Sequence, residues 1–511
     1  MSITTFAAID VGSNELAMKV YQLSKKTGIK ELDYVRHTIE LGSETYTNGK
    51  LSHDIIDELC NVLNRFQKKM KEYMVSDYIA CATSGLREAT NQILVLDQIK
   101  LRTGLKVKVL SNSEQRFLCY KALALTEPSF QSLIEKGAAI IDVGAGSIQV
   151  SLYNKSSLIT TQNIKLGSLR IRELLSSMEK QTTNYTHLIS EYIENDLSTF
   201  EQLFLQVGKF KHIIGFGDQL KDLIRLSKKL VFSKAITTEQ FTAFYHSLTK
   251  RSLEDLSKEL NLSREQASLL LPTAMVYQKM ISKTHAEELF FSDLTLCDGI
   301  VSDYASRKEK IVATHSFDED IIEAARNIAK RYQCNIAHTS NVEYLALTLY
   351  DSLKKFHGLG KRERLFLQIA VILHSCGEFI NMNEVNLHSY HIVMSTEIIG
   401  LSHLERELIA NLVRYTTTNF PRYSRIIDGL DKDTYITLAK LTAILRLANS
   451  LDKSHRQKFK NIQVQIKENS LYIITNTLDD ITLEKGLFIK KADFFEEVYG
   501  IRPILKQKRS I

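Results

Sequence analysis

Two stretches of this chain alternate apolar and polar positions in the same way. One apolar run ends at Ile9-Asp10-Val11-Gly12-Ser13-Asn14, and another ends at Ile141-Asp142-Val143-Gly144-Ala145-Gly146. Alternation follows each: Leu16, Met18, Val20 and Tyr21 in the first, and Ile148, Val150, Leu152 and Tyr153 in the second, at a constant offset of 132 positions. A period of two predicts strands, and the intervening Asp-x-Gly predicts a tight turn that folds one strand back on the other. Between the two copies, Ala80-Cys81-Ala82-Thr83-Ser84-Gly85-Leu86-Arg87 predicts a buried strand running into a helix that begins near Arg87. Val107-Lys108-Val109-Leu110-Ser111-Asn112-Ser113-Glu114-Gln115 predicts another strand ending at a polar helix start. From about Asp318 the apolar spacing becomes three and four, through Ile321, Ala325 and Ile328 and again through Val342, Leu345 and Leu349, which predicts helices. After Asn461, alternation at Ile462-Val464-Ile466 and Leu471-Ile473-Thr475 predicts two strands, followed by a helix over Lys491 to Val498. The pattern therefore divides the chain into lobes at 1–130 and 131–305, a helical region at 310–460 and a small α/β cap at 461–511.

The repeated hairpin has a chemical logic. Glycine permits a tight turn and lets backbone N–H groups approach a phosphate closely. An aspartate at the end of the preceding strand faces the same turn, where it can hold a metal ion or its waters. Two copies in register predict two α/β lobes, each offering one phosphate loop to a shared cleft, as in the superfamily of actin, sugar kinases and heat-shock chaperone ATPases. A third glycine turn, Ile213-Ile214-Gly215-Phe216-Gly217-Asp218, precedes a helical stretch and places Gly217 where another anion contact is possible.

Composition narrows the setting. With 511 residues the chain needs more than one core. No apolar run reaches eighteen residues, and the N-terminus enters a strand without a signal-like segment, so a cytoplasmic protein with no membrane partner is expected. The six cysteines (Cys60, Cys81, Cys119, Cys297, Cys334 and Cys376) form no C-x-x-C pair and read as reduced packing residues. A net charge of +7 suits an anionic small molecule or polymer without calling for nucleic acid. The basic runs at Lys68-Lys69-Met70-Lys71, at Arg225 to Lys229 and at Lys506 to Arg509 read as solvated faces.

In order and spacing these segments resemble the exopolyphosphatase/guanosine pentaphosphate phosphatase (Ppx/GppA) family, whose pattern is roughly D-x-G-S-N-S, A-T-S-A-x-R-x-A-x-N, I-S-G-x-E-E-A and D-I-G-G-G-S-T-E. The likeness extends through Leu271-Pro272-Thr273-Ala274 and Leu296-Cys297-Asp298-Gly299. It implies two actin-like (ribonuclease H-like) lobes. It also implies that Gly12, Ser13, Asn14, Arg87, Gly144, Gly146 and Ser147 bind phosphates, that Asp10 and Asp142 hold Mg²⁺, and that the ligand is inorganic polyphosphate or guanosine penta- or tetraphosphate. Family members hydrolyse the terminal phosphoanhydride, and family analogy suggests a homodimer. Nothing in the motifs points to a sugar or acetate kinase.

The departures bear on activity. The family's catalytic glutamate aligns with Gln115, and the glutamate closing D-I-G-G-G-S-T-E aligns with Gln149. An amide keeps the size of a carboxylate but cannot take a proton from water at neutral pH. Glu114, next to Gln115, could supply the base after a local shift of the helix start, although neighbouring helical residues point about 100° apart. Glu15 replaces the last serine of the first loop, and Ala145 replaces a glycine. Two functions stay open: a phosphoanhydride hydrolase, or an impaired relative that binds or senses the same ligands. In the helical region, His338, His374-Ser375, His388 and His391 follow the order of an HD-type phosphohydrolase, with Ser375 where a metal-binding aspartate belongs. These histidines therefore read as hydrogen-bonded core or interface residues.

Overall fold

The computed structural model of the protein describes residues 4–217, 219–227, 235–311, 315, 317–423 and 431–508. Asp218, Lys228, Lys229 and Arg509, named above, lie outside the described residues. The chain forms two compact units, 1–317 and 318–511.

Two sheets build the first unit. One contains β1 (Thr4–Val11), β2 (Glu15–Ser24), β3 (Gly28–Thr38), β4 (Asp77–Ala82) and β5 (Val107–Val109), in the order β3-β2-β1-β4-β5. The other contains β6 (Ala138–Val143), β7 (Ile148–Asn154), β8 (Ser157–Ile164), β9 (His212–Phe216), β10 (Ile236–Thr237) and β11 (Glu288–Phe291), in the order β10-β11-β9-β6-β7-β8. Each sheet turns an antiparallel hairpin beside a parallel strand: β1 with β2 and β4, and β6 with β7 and β9.

The sequence offset of 132 is kept in the main chain. Asp10 lies opposite Ala17 in the first hairpin, and Asp142 lies opposite Gln149 in the second. The Gly12 N–H donates to the Glu15 carbonyl at 3.0 Å, and the Gly144 N–H to the Ser147 carbonyl at 3.1 Å. Even the irregularity repeats, between Val20 and Tyr21 on β2 and between Leu152 and Tyr153 on β7.

Alternate residues of each hairpin fill a core. Ile9, Val11, Leu16 and Met18 pack with Leu59, Leu63 and Phe66 of the helix His53–Glu72. Ile141, Val143, Ile148 and Val150 pack with Ile193 and Leu197 of Tyr185–Phe204 and with Val276 and Met280 of Leu270–Thr284. On the other face of β1, Phe6 stacks at 4.1 Å on Tyr304 of the helix Leu296–Glu309. Burial on both faces explains why these strands read as apolar runs.

The second unit is mainly helical, with Ile336–Ser352, Lys361–Leu373, His403–Arg414 and Lys432–Ser450 supplying its buried apolar residues. It ends in a sheet of β12 (Ile462–Lys467), β13 (Ser470–Thr475) and β14 (Arg502–Gln507), in the order β12-β13-β14. The alternation identified β12 and β13. The helix that follows runs over Thr482–Tyr499, longer than the stretch Lys491 to Val498, and β14 escaped the pattern altogether. Pro503 and the basic residues around it hide a strand, yet proline is tolerated on an edge strand, and β14 is one, parallel to β13. Among the described residues no helix is long and apolar enough to cross a membrane.

Candidate functional site

The two hairpin turns face one cavity of about 90 Å³. Asp10, Gly12, Ser13 and Glu15 line it from the first hairpin, and Asp142, Gly144, Gly146, Ser147 and Gln149 from the second. Gly217 joins them behind β9, and Gln115 enters from the helix Asn112–Thr126. Gly217 has φ of +137°, and a Cβ there would lie 2.4 Å from the Val143 carbonyl oxygen, so only glycine fits. Ala145 is not among the described residues with positive φ; it packs with Leu169 and Leu269, and the lost glycine costs this turn no strain. The segment after Gly167 braces the same turn, since the N–H groups of Ser168 and Leu169 donate to the Gly144 and Ala145 carbonyls, and a Cβ on Gly167 would collide with the Ala145 carbonyl.

Three residues expected at the site are placed elsewhere. Arg87 forks onto the Leu110 carbonyl and Asn112 Oδ1, holding the entry to the helix that carries Gln115. Asn14 is buried beside the turn and does not line the cavity; its carbonyl accepts from the Ile39 N–H. Glu114 is the third residue of a capping box: its carboxylate accepts from the Ser111 N–H at 3.0 Å and from Lys108 Nζ at 2.6 Å. That bond turns Glu114 back over the helix start and leaves Gln115, one position on, facing the cavity. Glu114→Ala is expected to lower stability by about 1 kcal/mol in denaturant unfolding while leaving phosphate release unchanged.

Arg116 is the residue that sequence reasoning missed. It is fully buried, and its Nε donates to Gln149 Oε1 at 3.1 Å while Nη2 reaches the Gln162 carbonyl at 3.4 Å. The signal was present, because Arg116 stands where I-S-G-x-E-E-A ends in alanine. Against the family patterns the site loses carboxylates at Gln115 and Gln149, gains one at Glu15, and has a buried guanidinium behind Gln149.

Other contacts tie the lobes together around the cavity. Tyr46 Oη lies 3.0 Å from both Ser13 Oγ and Ser84 Oγ, and burial pushes its hydroxyl pKa up. The same hydroxyl sits where a Cβ on Gly146 would be, 2.1 Å away, so the glycine lets the first lobe touch the second turn. Arg170 bridges back, with Nη2 on Glu88 at 2.7 Å and Nε on the Gly146 carbonyl at 2.8 Å. Arg172 adds an ion pair to Glu40 at 3.1 Å. At the foot of the cavity, Asp298 caps the helix Leu296–Glu309 by accepting from the Thr295 N–H and pairs with Lys19 Nζ at 2.9 Å. Burial alone would raise the Asp298 carboxyl, but Lys19 and the Thr295 bonds outweigh it and hold its pKa below the ordinary value.

A model of the Ppx/GppA phosphatase family matches residues 20–308, and one of Ppx/GppA phosphatase domain III matches residues 322–486. The chain belongs to the Ppx/GppA phosphatase family. Solved structures agree on the fold. That of the Aquifex aeolicus member of the Ppx/GppA protein family is 21% identical, covers 62% of this chain and 100% of its own, and has a TM-score of 0.51. That of an exopolyphosphatase from Cytophaga hutchinsonii is 16% identical, covers 59% of this chain and 97% of its own, and has a TM-score of 0.53. The hairpin-bearing sheets are thus the paired actin-like lobes of a Ppx/GppA protein.

The family's divalent ion has a fitting donor set here. Three aspartates, Asp10, Asp142 and Asp293, line one cavity with Glu15, the first two at matching places in the two hairpins, and no group of three or more His, Cys, Asp or Glu side chains set to hold a metal occurs among the described residues. Mg²⁺ suits such a site, because it is commonly held by one or two carboxylates with waters and substrate phosphates completing its shell.

Proposed function

We propose that this Ppx/GppA protein binds a chain of phosphoryl groups, inorganic polyphosphate or guanosine penta- or tetraphosphate, between its two turns, and that release of the terminal phosphate is slow. The observation that carries this reading is the pair of amides, Gln115 and Gln149, lining the cavity, with buried Arg116 holding Gln149 from behind. Glycine turns, with Arg36 and Lys221 in the same lining, favour a polyanion, whereas hydrolysis needs a group that accepts a proton from the attacking water. Such a base is worth about 10²- to 10⁴-fold, on the order of 3 to 5 kcal/mol of barrier. Asp10 and Asp142 would hold Mg²⁺, which neutralises charge on bridging phosphate oxygens when bound. The protein's own part is orientation: the Gly12 and Gly144 turns, Ser13 and Ser147 fix the anion, and the approach of Tyr46 to Gly146 and the Arg170–Glu88 ion pair hold the lobes together beside it.

A second reading, full hydrolysis, draws on Glu15, a carboxylate that lines the cavity where the family has serine. Calorimetric titration with long-chain polyphosphate and with guanosine pentaphosphate, beside an orthophosphate assay, tests both. Binding with little release is expected. Binding of neither ligand would overturn the assignment, and rapid release abolished by Glu15→Gln would establish the second reading.

A further inference from the structure

The second unit contains a cavity of about 770 Å³ that plays no part in the function proposed above. Imidazoles line one part of it. His338 Nδ1 lies 2.8 Å from Asp452 Oδ2, both residues being buried, and the His455 ring stacks on His338 at 3.8 Å. His374 bonds the Val371 carbonyl through Nδ1 at 2.7 Å. Burial, and then the nearness of His338, pulls His374 down to about 4, so it is an uncharged ring at neutral pH.

Cations line another part. The Arg414 guanidinium lies over the rings of Tyr390 and Tyr415, at 5.3 and 5.7 Å, and among the described residues neither Arg414 nor Lys453 makes an ion pair. Buried Arg446 donates to the carbonyls of Tyr415 and Thr418 in the same wall, and burial without a carboxylate partner pulls it down to about 10. Lys491 is also pulled down, by burial and then by Arg446, Lys453 and Lys490. Glu378 and Glu384 reach the lining as well, but both are exposed to solvent. Arg414, Arg446, Lys453 and Lys491 outnumber these two carboxylates, and a bound anion relieves the repulsion among them.

The geometry points to a binding site for a small phosphate ester of mononucleotide size, its phosphate on Arg414 and Lys453 and its uncharged ring system against His338 and His455. Pockets for organic ligands span roughly 300–1,000 Å³, and a lone phosphate would leave most of this one unfilled. The site is independent of the cleft and stands or falls without it.

Titration calorimetry of the full chain with AMP, GMP, CMP and UMP, and with inorganic phosphate alone, tests the assignment. At least one mononucleotide is expected to bind, tenfold or more weakly to Arg414→Met and to the surface variant Lys453→Met, and unchanged to Gly146→Val in the cleft. Hydrogen exchange at 414–419 is expected to slow with that nucleotide. If Arg414→Met does not fold, Lys453→Met and the exchange data decide alone. The assignment fails if no mononucleotide binds, if phosphate binds as tightly as the nucleotide, or if Gly146→Val rather than the two cation variants removes binding.

Discussion

Orthophosphate release from polyphosphate should rise by about 10² to 10⁴ in the triple variant Gln115→Glu, Arg116→Ala, Gln149→Glu, and by no more than about tenfold in the double variant that keeps Arg116. The difference comes from one contact. Arg116 Nε lies 3.1 Å from Gln149 Oε1, and a carboxylate introduced at that position would meet a fully buried guanidinium. Such a charge-assisted bond is worth about 1.5–3 kcal/mol, enough to hold the new carboxylate away from water and metal. Removing the guanidinium restores the alanine of the family pattern and frees that carboxylate to act. A steady-state phosphate assay separates the cases. Equal gains in both variants would make Arg116 a bystander, and no gain in either would show that the attacking water is not positioned from 115 and 149.

A loss of about 3 kcal/mol in stability is expected for Asp298→Ala. The buried Lys19 ammonium would keep only its bond to Glu31 at 2.9 Å, Tyr21 Oη would lose its acceptor, and the Thr295 cap would open. Lys19→Met with Asp298→Leu should cost less than the single change, because the pair leaves together and apolar atoms refill the space. Denaturant midpoints measured on the full chain make the comparison. The pH dependence follows from the shifts. The Asp298 pKa is depressed, so its contribution is present above the ordinary carboxylate range and is lost as pH falls through the depressed value. Lys19 is raised, so its contribution persists through neutral pH and is lost only as pH climbs past the usual lysine range. The pair should therefore matter fully at neutral pH and fade toward both extremes.

Much of the first unit was legible because it was written twice. Period-two alternation and the Asp-x-Gly turn located both hairpins, and the constant offset carried over into the same strand partners and the same turn bond. Side-chain direction was less legible. Arg87 was expected at the start of a helix but closes the short helix Ser84–Arg87, and which acceptors it reaches depends on the separate Leu110 to Asn112 segment, whose position is set by tertiary packing. Glu114 could have been assigned from sequence, since Ser111 three residues earlier makes a capping box. Arg116 was hidden by its position, because a charged residue inside a helix reads as solvent-facing until the partner strand covers it. β14 was missed for the opposite reason, its few apolar residues lying between a proline and lysines.

The repeated backbone also sets the terms on which the halves can differ. Glu15 of the first turn occupies the place that Ser147 holds in the second, and Ala17 the place of Gln149, while the main-chain bonds of the two turns are the same. At these positions the two hairpins differ by side chain alone, so that beyond the shared Asp10 and Asp142 the first wall of the chamber adds a carboxylate and the second a hydroxyl and an amide. Exchanging the side chains of Glu15 and Ser147 would preserve each scaffold bond yet reverse the polarity of the chamber, which would turn a bound chain end for end if charge decides its direction.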